Sequence, residues 1–449
     1  MSESIFAEGF RTDPYWWDAV PRDAGAGLPA EALPDRADVV VVGSGYAGLH
    51  AAITLSRAGS EVVVLEAGPL GLGASTRNGG ITSGNLRYSF DQLSKKFGPE
   101  KAAKFYLEAH AARQDLLSFI TEEHIDCDLQ RCGRFVGATQ PRTLVAMQRE
   151  ADNLSKITGV VPVIYDKSGL ADHIESDKYC GGVWRNDISG IHPAKLLAGM
   201  HKVAMAAGAS IFTGVAVSSV RRIDTRVDAS FIVDTSKGQI NAGHVITATN
   251  GYTDPSMPWL RRRLVPVISE MIATEEIGEN RVRSLMPSRS MYSESLQLGY
   301  YFRPSPDGKR ILLGGRRMDS DPAAAAERLR AGLLSILPNV ADCAVSHHWF
   351  GFVAFPFDQL PKLTVHDGII YPAGYCGSGT VWARWLGQKA AQMVLGDVAG
   401  ANSFSSGSAD TVFAGIPFRS MPFYSGEPWF LPLAMRFYRV KDKVAGLKK

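Results

Sequence analysis

The chain has 449 residues, 45% of them hydrophobic, and a formal net charge of +3; this size and composition are typical of a globular protein with about two or three domains. The charge is too balanced to indicate a nucleic-acid partner. No apolar run is long enough to cross a bilayer and the first residues show no signal-peptide pattern, so we expect a soluble protein.

The cysteines indicate a reducing compartment. Their number is odd, and no two have the C-x-x-C spacing of a structural zinc site. We therefore expect no disulfide framework and no metal site, and we expect the protein to be cytoplasmic. The cysteines are Cys127, Cys132, Cys180, Cys343 and Cys376.

Residues 1–36 are expected to form an irregular N-terminal arm. Pro, Gly and Ala are frequent around the aromatic segment Tyr15–Trp17. We favour packing of these aromatic side chains against the main body over contact with a ligand.

Residues 37–68 predict a strand, a tight turn, a helix and a second strand. The β-branched run Val39–Val42 is typical of a strand buried on both faces of a parallel sheet. The residues that follow, GSGYAG from Gly43 to Gly48, fit the G-x-G-x-x-G fingerprint. A helix from Tyr46 to Ala58 would direct its free N–H groups at phosphates, and Glu66 follows where a carboxylate binds ribose hydroxyls. The unit predicts a dinucleotide site that suits NAD and FAD equally.

The next segment, Gly71–Gly80, predicts a loop that contacts the ligand. Five glycines among small polar residues form neither a helix nor a packed strand. A flexible surface loop would not require Arg77 and Asn78 between the glycines. We expect backbone N–H groups and Arg77 to donate to phosphate or ring edges.

The middle of the chain predicts helices and then strands. Segments 91–125 and 141–157 have helical spacing and are interpreted as an insertion outside the nucleotide sheet. His192 is expected to cap a helix that starts at Pro193, rather than to act in catalysis. Strands are predicted at 210–212, 216–220 and 231–235, the last two as a hairpin, and at 244–248 before a small-residue turn.

A second sheet is predicted further along the chain. Segments 261–274 and 293–303 have strand patterns, and in the latter alternation places Gln297, Gly299, Tyr301 and Arg303 on one face. The aromatic segment His347–Asp358 is expected to be mostly core, with a few side chains that line a pocket.

A second strand, glycine turn and helix is predicted at residues 369–395. Its helix start, near Thr380, would face a ligand held by the first unit. The tail, residues 413–449, is aromatic and then basic. We favour packing of this tail across the body or against a partner subunit over a membrane-surface role.

The motifs resemble the D-amino-acid oxidase superfamily of flavoproteins, which includes sarcosine and glycine oxidases, and within it the gamma-glutamylputrescine oxidoreductase branch. The segments that carry the resemblance are PYWWD, VVVVGSGYAGLHAA with VVVLEA, GLGASTRNGG, HVITATNGYT, YYFRPSPDGKRILLGG and PAGYCGSGTVWARWLGQKAA. The resemblance implies an α/β plus α+β fold, in which a Rossmann-type FAD-binding domain is interleaved with an antiparallel-sheet substrate domain. Residues 37–90, 155–255 and 340–412 would form the FAD-binding domain, and residues 91–154 and 256–339 the substrate domain.

The resemblance also implies FAD as the cofactor. In the sarcosine-oxidase branch a cysteine before an acidic-proline segment attaches the flavin, and the comparable stretch Ala354–Asp358 has no cysteine. We therefore expect noncovalent FAD. The predicted cofactor residues are Gly43, Gly45, Tyr46, Ala47, Gly48, Glu66, Ala67, Ser75, Thr76, Arg77, Asn78, Gly79, Gly80, Val217, Ala248, Gly374, Gly377, Ser378, Gly379 and Thr380.

Two positions depart from the sarcosine-oxidase pattern G-L-K-L-G-Y-H and its substrate site. Gln297 stands where that branch has a lysine that promotes reaction with oxygen, and glutamine cannot supply its positive charge. The lysine with which that branch binds the substrate carboxylate is absent here, since Val381 follows Gly379 and Thr380. The sequence therefore leaves both oxygen and another compound as possible electron acceptors. The absent lysines also argue against fast oxidase chemistry and against a simple N-methylglycine substrate.

The expected reaction is oxidation of a C–N bond in a small-molecule amine or amino acid, with hydride transfer to flavin N5 and hydrolysis of the imine. Such chemistry needs no strong base if the amine binds neutral, and an arginine would pair with a substrate carboxylate. A dehydrogenase of hydroxy acids or other alcohols, and a flavin-bearing subunit of a larger electron-transfer assembly, are the alternatives. An oligomer is compatible with the sequence. The candidate catalytic residues are Tyr252, Gln297, Tyr301, Arg303 and Trp349, with Arg316 as a lesser choice.

Overall fold

The computed structural model describes residues 4–22, 27, 33–223, 230–318, 321–398 and 410–447. The strands in this part of the chain are β1 (Phe6–Arg11), β2 (Arg36–Val42), β3 (Val62–Glu66), β4 (Arg134–Ala138), β5 (Val163–Asp166), β6 (Gly181–Arg185), β7 (Ser210–Thr213), β8 (Val217–Arg222), β9 (Phe231–Thr235), β10 (Gly238–Thr247), β11 (Leu264–Thr274), β12 (Met291–Glu294), β13 (Tyr301–Pro304), β14 (Ile311–Arg316), β15 (Val345–Pro356), β16 (Lys362–His366) and β17 (Ile369–Ala373). The helices are α1 (Tyr46–Arg57), α2 (Phe90–Phe97), α3 (Pro99–Glu122), α4 (Pro141–Thr158), α5 (Pro193–Ala206), α6 (Pro258–Arg261), α7 (Glu279–Leu285), α8 (Pro322–Ile336), α9 (Gly379–Val398) and α10 (Leu431–Leu447). None of these helices has the length and apolarity needed to span a bilayer.

The first sheet has a parallel centre. Strands β17, β10, β2, β3 and β7 lie side by side and run in one direction. The antiparallel strands β16, β9 and β8 extend it, and β8 and β9 form the predicted hairpin. The valines of β2 are buried because helices cover one face and the β8–β9 side of the chain covers the other.

The second sheet has nine strands and is mainly antiparallel. Its order is β1-β15-β11-β14-β13-β12-β4-β6-β5, with parallel pairs only at β1–β15 and β12–β4. The two sheets agree with the expected fold class of a Rossmann-type α/β part and an antiparallel α+β part.

Several sequence expectations differ from the observed strands. The N-terminal arm is not irregular throughout, since β1 pairs with β15. The predicted strand 293–303 is two paired strands, β12 and β13, joined by a turn. Strands β5, β6 and β15 pair in the nine-stranded sheet, although the predicted FAD-binding segments 155–255 and 340–412 contain them. These pairings depend on contacts distant in sequence, so a local pattern cannot specify them.

The predicted cap of α5 is confirmed. His192 is the residue before the helix, its Nδ1 accepts a hydrogen bond from the Lys195 N–H at 3.2 Å, and Pro193 is the first helical residue. Burial lowers the pKa of His192 to about 4, so the ring is neutral and able to accept at physiological pH.

Helix α1 packs against α9 with direct backbone contact. A Cβ atom on Gly387 of α9 would lie 2.2 Å from the carbonyl oxygen of Ala47, whereas a Cβ on Gly396 of the same helix would meet nothing within 4 Å. Only the first site therefore requires glycine for packing.

We predict opposite effects for Gly387→Ala and Gly396→Ala in thermal unfolding of the holoenzyme. Gly387→Ala should lower the free energy of unfolding by about 1–3 kcal/mol, because the two helices must separate. Gly396→Ala should be neutral or stabilising by up to about 1 kcal/mol through helix propensity. Equal effects of the two substitutions would contradict the packing described.

Candidate active site

A cavity of about 360 Å³, here named the nucleotide cavity, lies at the carboxyl ends of β2, β3, β10 and β17. The turns after these parallel strands meet at one edge of the sheet, the usual ligand position in such folds. The predicted cofactor residues in its wall are Gly43, Gly45, Tyr46, Ala47, Glu66, Ala67, Ser75, Asn78, Val217, Ala248, Gly377, Gly379 and Thr380.

The glycine turn before α1 leaves backbone donors exposed to this cavity. Gly43 has a φ of +101°, and a Cβ on Gly48 would lie 1.8 Å from the Gly43 oxygen. Gly45 precedes α1 without a side-chain cap, and the Tyr46 N–H donates to Ser75 Oγ at 3.1 Å. The positive end of the helix dipole therefore faces the cavity, as a pyrophosphate site requires.

The Glu66 carboxylate is oriented at the end of β3. Its Oε2 accepts hydrogen bonds from the Ser44 N–H at 3.0 Å and the Ser44 hydroxyl at 2.7 Å, and its Oε1 accepts from the Gly68 N–H at 3.3 Å. A carboxylate has about four acceptor positions, so capacity remains for hydroxyl donors of a ligand.

The loop 73–80 is rigidly held. The Asn78 side chain donates to the carbonyls of Ala74 and Ser75 at 3.1 and 3.0 Å, and accepts from the Gly80 N–H at 2.9 Å. The Trp16 indole donates to the Asn78 carbonyl at 2.8 Å. The arm thus packs on the predicted cofactor loop, in agreement with the packing interpretation of its aromatic residues.

Two candidate catalytic residues lie outside both cavities and support this loop from behind. Trp349 is buried and its indole donates to the Arg77 carbonyl at 3.0 Å. Arg303 is buried and donates to the carbonyls of Ile191 at 2.7 Å and Gly80 at 3.1 Å. Burial lowers the pKa of Arg303 to about 10, which leaves it charged at neutral pH. The structure does not bring either side chain to the cavity surface.

Four predicted cofactor residues also lie behind the walls. Thr76 accepts from the Trp17 indole at 3.0 Å, and Gly374 donates its N–H to Asn250 Oδ1 at 2.9 Å with a φ of +74°. Gly48 and Gly80 permit close backbone approaches. These residues position the loops that form the walls.

A second cavity of about 290 Å³, here named the arginine cavity, adjoins the first. Six neighbouring strands of the second sheet each contribute a wall residue: Val353 of β15, Ser269 of β11, Gly315 of β14, Tyr301 of β13, Ser293 of β12 and Arg134 of β4. The wall also contains the predicted residues Arg77, Asn78, Gly79, Gly377, Ser378, Thr380 and Gln297. The two cavities share Ala74, Asn78, Phe352, Val353, Cys376, Gly377 and Thr380.

Positive charge dominates the wall of the arginine cavity. Arg77, Arg87, Arg134 and Arg316 line it. Burial lowers the pKa of Arg316 to about 10, and no acidic side chain of the described residues forms an ion pair with it. The one carboxylate in the wall, Glu294, is already paired with Lys178 Nζ at 2.6 Å.

Among the remaining candidates, Tyr301 and Gln297 reach the arginine cavity and Tyr252 reaches the nucleotide cavity. The Tyr301 hydroxyl lies 3.1 Å from Ser269 Oγ. Gln297 is exposed in the turn between β12 and β13, not in a strand, and its N–H donates to Asp442 at 3.2 Å. The alternation predicted for Gln297 and Gly299 is therefore wrong, because the turn interrupts it.

The sequence interpretation missed most of the arginine cavity, including Arg87 and Arg134. One signal was available. A Cβ on Gly314 would lie 2.3 Å from Cζ of Tyr301, so Gly314, two residues before Arg316, makes room for this ring. Glycine inside a strand often marks such a close approach.

The joined cavities fit FAD. The nucleotide cavity offers a carboxylate at Glu66 for the ribose and the positive end of α1, which has no side-chain N-cap, for the pyrophosphate. The passage between the cavities is lined by Gly377 and by Asn78 of the loop 73–80, and small residues there leave space for a planar ring. None of the described residues that the two cavities share carries a charged side chain.

A protein-family comparison decides the cofactor class. The model of the family DAO, described as FAD dependent oxidoreductase, matches residues 38–393. The chain belongs to this family. It is an FAD-dependent oxidoreductase, and the choice between NAD and FAD that the glycine turn left open is resolved in favour of FAD.

Similar proteins cover nearly the whole chain. Gamma-glutamylputrescine oxidoreductase of Escherichia coli (strain K12) is 28% identical over 413 residues, which are 91% of this chain and 93% of that protein. Glycine oxidase of Bacillus licheniformis is 22% identical over 81% of this chain and 94% of that protein. The crystal structure of glycine oxidase from Geobacillus kaustophilus matches with a TM-score of 0.68 and 18% identity, over 87% of this chain and 99% of that one.

We predict that Glu66→Gln weakens FAD binding about tenfold, because neutral acceptors form weaker hydrogen bonds with ribose hydroxyls than carboxylates do. Titration of the apoprotein with FAD, followed by flavin fluorescence, measures the Kd. Glu61→Gln is the matched control, since Glu61 is exposed immediately before the same strand. An unchanged Kd for Glu66→Gln would contradict the assigned position of the adenosine end.

Proposed function

We propose that the protein oxidises a C–N bond in an amine or amino acid that carries a carboxylate. The observation that supports this most directly is the arginine cavity, which adjoins the nucleotide cavity and holds Arg316 without an acidic partner among the described residues. The named activities of the relatives, on gamma-glutamylputrescine and glycine, support the amine class.

Arg316 is the proposed anchor for the substrate carboxylate. Its guanidinium carbon lies 5.3 Å from the centre of the Phe355 ring, and its Nη2 would lie 3.2 Å from a Cβ on Gly377. The side chain thus reaches from β14 to the shared wall of the two cavities. A planar guanidinium binds a carboxylate through two parallel hydrogen bonds and so fixes the orientation of the substrate.

The same charges favour a neutral substrate amine. Four arginines in the wall disfavour a further positive charge and lower the pKa of a bound ammonium group. Glu294 is held by Lys178 and accepts from the Tyr300 N–H at 2.9 Å, so it is not free to act as a base. We propose that the amine loses its proton to solvent as it binds, and that no side chain removes a proton from carbon.

FAD, when bound, supplies the acceptor for the hydride of the carbon next to nitrogen. The chain would hold its adenosine end at Glu66, its pyrophosphate at the start of α1, and its ring at the shared wall. Tyr301 and Ser269 would orient the substrate nitrogen through their hydroxyls. The imine product is then hydrolysed by water.

The flavin is proposed to be noncovalent. Cys376 lies in the shared wall, close to the position assigned to the ring, but burial raises the pKa of its thiol to about 12. A protonated thiol is a poor nucleophile and does not attach to a flavin readily.

We predict that acid precipitation releases all the flavin into the supernatant. The measurement is the flavin absorbance of the supernatant and of the washed pellet. Flavin that stays in the pellet of the native protein, but not in that of Cys376→Ser, would contradict the proposal and identify the attachment site.

Anaerobic mixing of the holoenzyme with substrates tests the reaction class. Amines and amino acids with a carboxylate should bleach the flavin absorbance, and hydroxy acids should not. Bleaching by hydroxy acids alone would favour an alcohol dehydrogenase, and no bleaching by any of them would favour a flavin-bearing subunit. Admission of air afterwards separates oxygen from another acceptor, since slow reoxidation is expected for Gln297 in place of a lysine.

For a carboxylated amine that bleaches the flavin, we predict that Arg316→Gln raises KM by about 10- to 100-fold. This factor corresponds to the free energy of the lost hydrogen bonds to a charged group. The effect on kcat should be smaller, because the charge acts on binding. Arg316→Lys should restore part of the affinity. An equal rise in KM for the corresponding amine without its carboxylate would show that Arg316 does not bind this group.

A further inference from the structure

The C-terminal helix α10 exposes an apolar face. Leu433, Phe437 and Val440 are 69%, 64% and 54% exposed, and their spacing of four and three residues places them on one side of the helix. Trp429, which is 65% exposed, precedes the helix by two residues. Exposed aromatic and aliphatic side chains in one short segment indicate an interaction surface.

The opposite face of α10 is docked on the body. The Asp442 carboxylate accepts hydrogen bonds from the N–H groups of Gln297 at 3.2 Å and Leu298 at 2.9 Å. Just before the helix, the Phe430 ring lies 5.8 Å from that of Tyr424. The helix therefore has a fixed orientation, and the apolar side faces away from the body.

Positive charge surrounds the apolar face. Residues 431–447 contain four basic residues and one acidic residue, and the acidic residue is Asp442, which is turned toward the body. Arg436 and Lys441 are exposed beside this face, and neither forms an ion pair with a described acidic side chain. The surface thus combines apolar side chains with a cationic border.

We propose that this face docks onto a lipid surface with anionic headgroups. Apolar side chains would enter the boundary of the acyl chains, while arginine and lysine bind phosphate groups. The sequence alone favoured packing of this tail across the body or against a partner subunit over a membrane-surface role, and α10 does pack on the body, but with one face only. A symmetric contact between two copies would oppose equal positive charges, so a second copy fits this face less well.

Docking would also place the lipid near the substrate route. Arg439 and Asp442 line a groove together with Tyr300 and Arg316, and the latter two also line the arginine cavity. The helix that faces the lipid therefore lies beside a groove that shares wall residues with the arginine cavity. The docking proposal itself does not depend on the reaction class.

Sedimentation of the holoenzyme with lipid vesicles tests the proposal. The protein should bind vesicles that contain phosphatidylglycerol, and should bind pure phosphatidylcholine vesicles much less. Phe437→Ser should weaken binding about tenfold through lost apolar burial, and Arg436→Gln about fivefold through lost attraction to headgroups. Val145→Ser is the matched control, because Val145 is a similarly exposed apolar residue (64%) on a different helix, α4, and this variant should bind like the native protein.

The flavin spectrum and the thermal unfolding curve of each variant test whether it is folded. We expect both to match the native protein, because the changed side chains are exposed. No binding to either vesicle, or equal binding to both, would overturn the proposal. A dimer in sedimentation equilibrium that Phe437→Ser converts to a monomer, without vesicle binding, would assign the face to a second copy and also overturn it.

Discussion

Helix α1 lies between two backbone segments that approach so closely that only glycine fits. A Cβ on Gly48 would lie 1.8 Å from the Gly43 carbonyl oxygen, and a Cβ on Gly387 would lie 2.2 Å from that of Ala47. Both obstacles are backbone atoms, which cannot rotate away as a side chain does. The contacts fix the start of α1 relative to the turn after β2 and to α9, whose first residues line both cavities. The geometry of the cofactor site therefore depends on these two glycines.

The two sheets supply different chemistry to the joined cavities. The parallel sheet offers the ends of its strands, where backbone N–H groups and the Glu66 carboxylate suit a constant cofactor. The antiparallel sheet offers a face to which six strands contribute residues, and this face carries Arg134 and Arg316. Between them lies the loop 73–80, which Trp16, Trp349 and Arg303 hold by its carbonyl groups. Arg303 supports this loop from behind, and four arginines line the arginine cavity that the loop borders. Together these cations favour anionic ligands in this region.

Local patterns predicted what depends on neighbouring residues. The glycine turn, the β8–β9 hairpin, the His192 cap and the second strand–turn–helix unit all appear where their residue types require them. Predictions failed where the structure depends on contacts between residues that are distant in sequence. Alternation gives the face of a strand on which a side chain lies, but not where along the strand the ligand binds. Arg303 shares a face of β13 with Tyr301, and Trp349 shares a face of β15 with Val353, yet both support the loop, while Arg316, a lesser choice, lines the cavity. The turn at 295–300 was missed because a single glycine, Gly299, is a weak signal within an apolar segment.

The most direct test of the central claim is a crystal structure of the FAD-loaded enzyme with a small carboxylate that it does not oxidise, such as acetate. We expect the adenosine ribose at Glu66, the flavin ring at the wall formed by Gly377 and the Asn78 loop, and the carboxylate paired with Arg316. A flavin ring outside the shared wall, or a carboxylate bound in this cavity away from Arg316, would contradict the assignment of the two cavities.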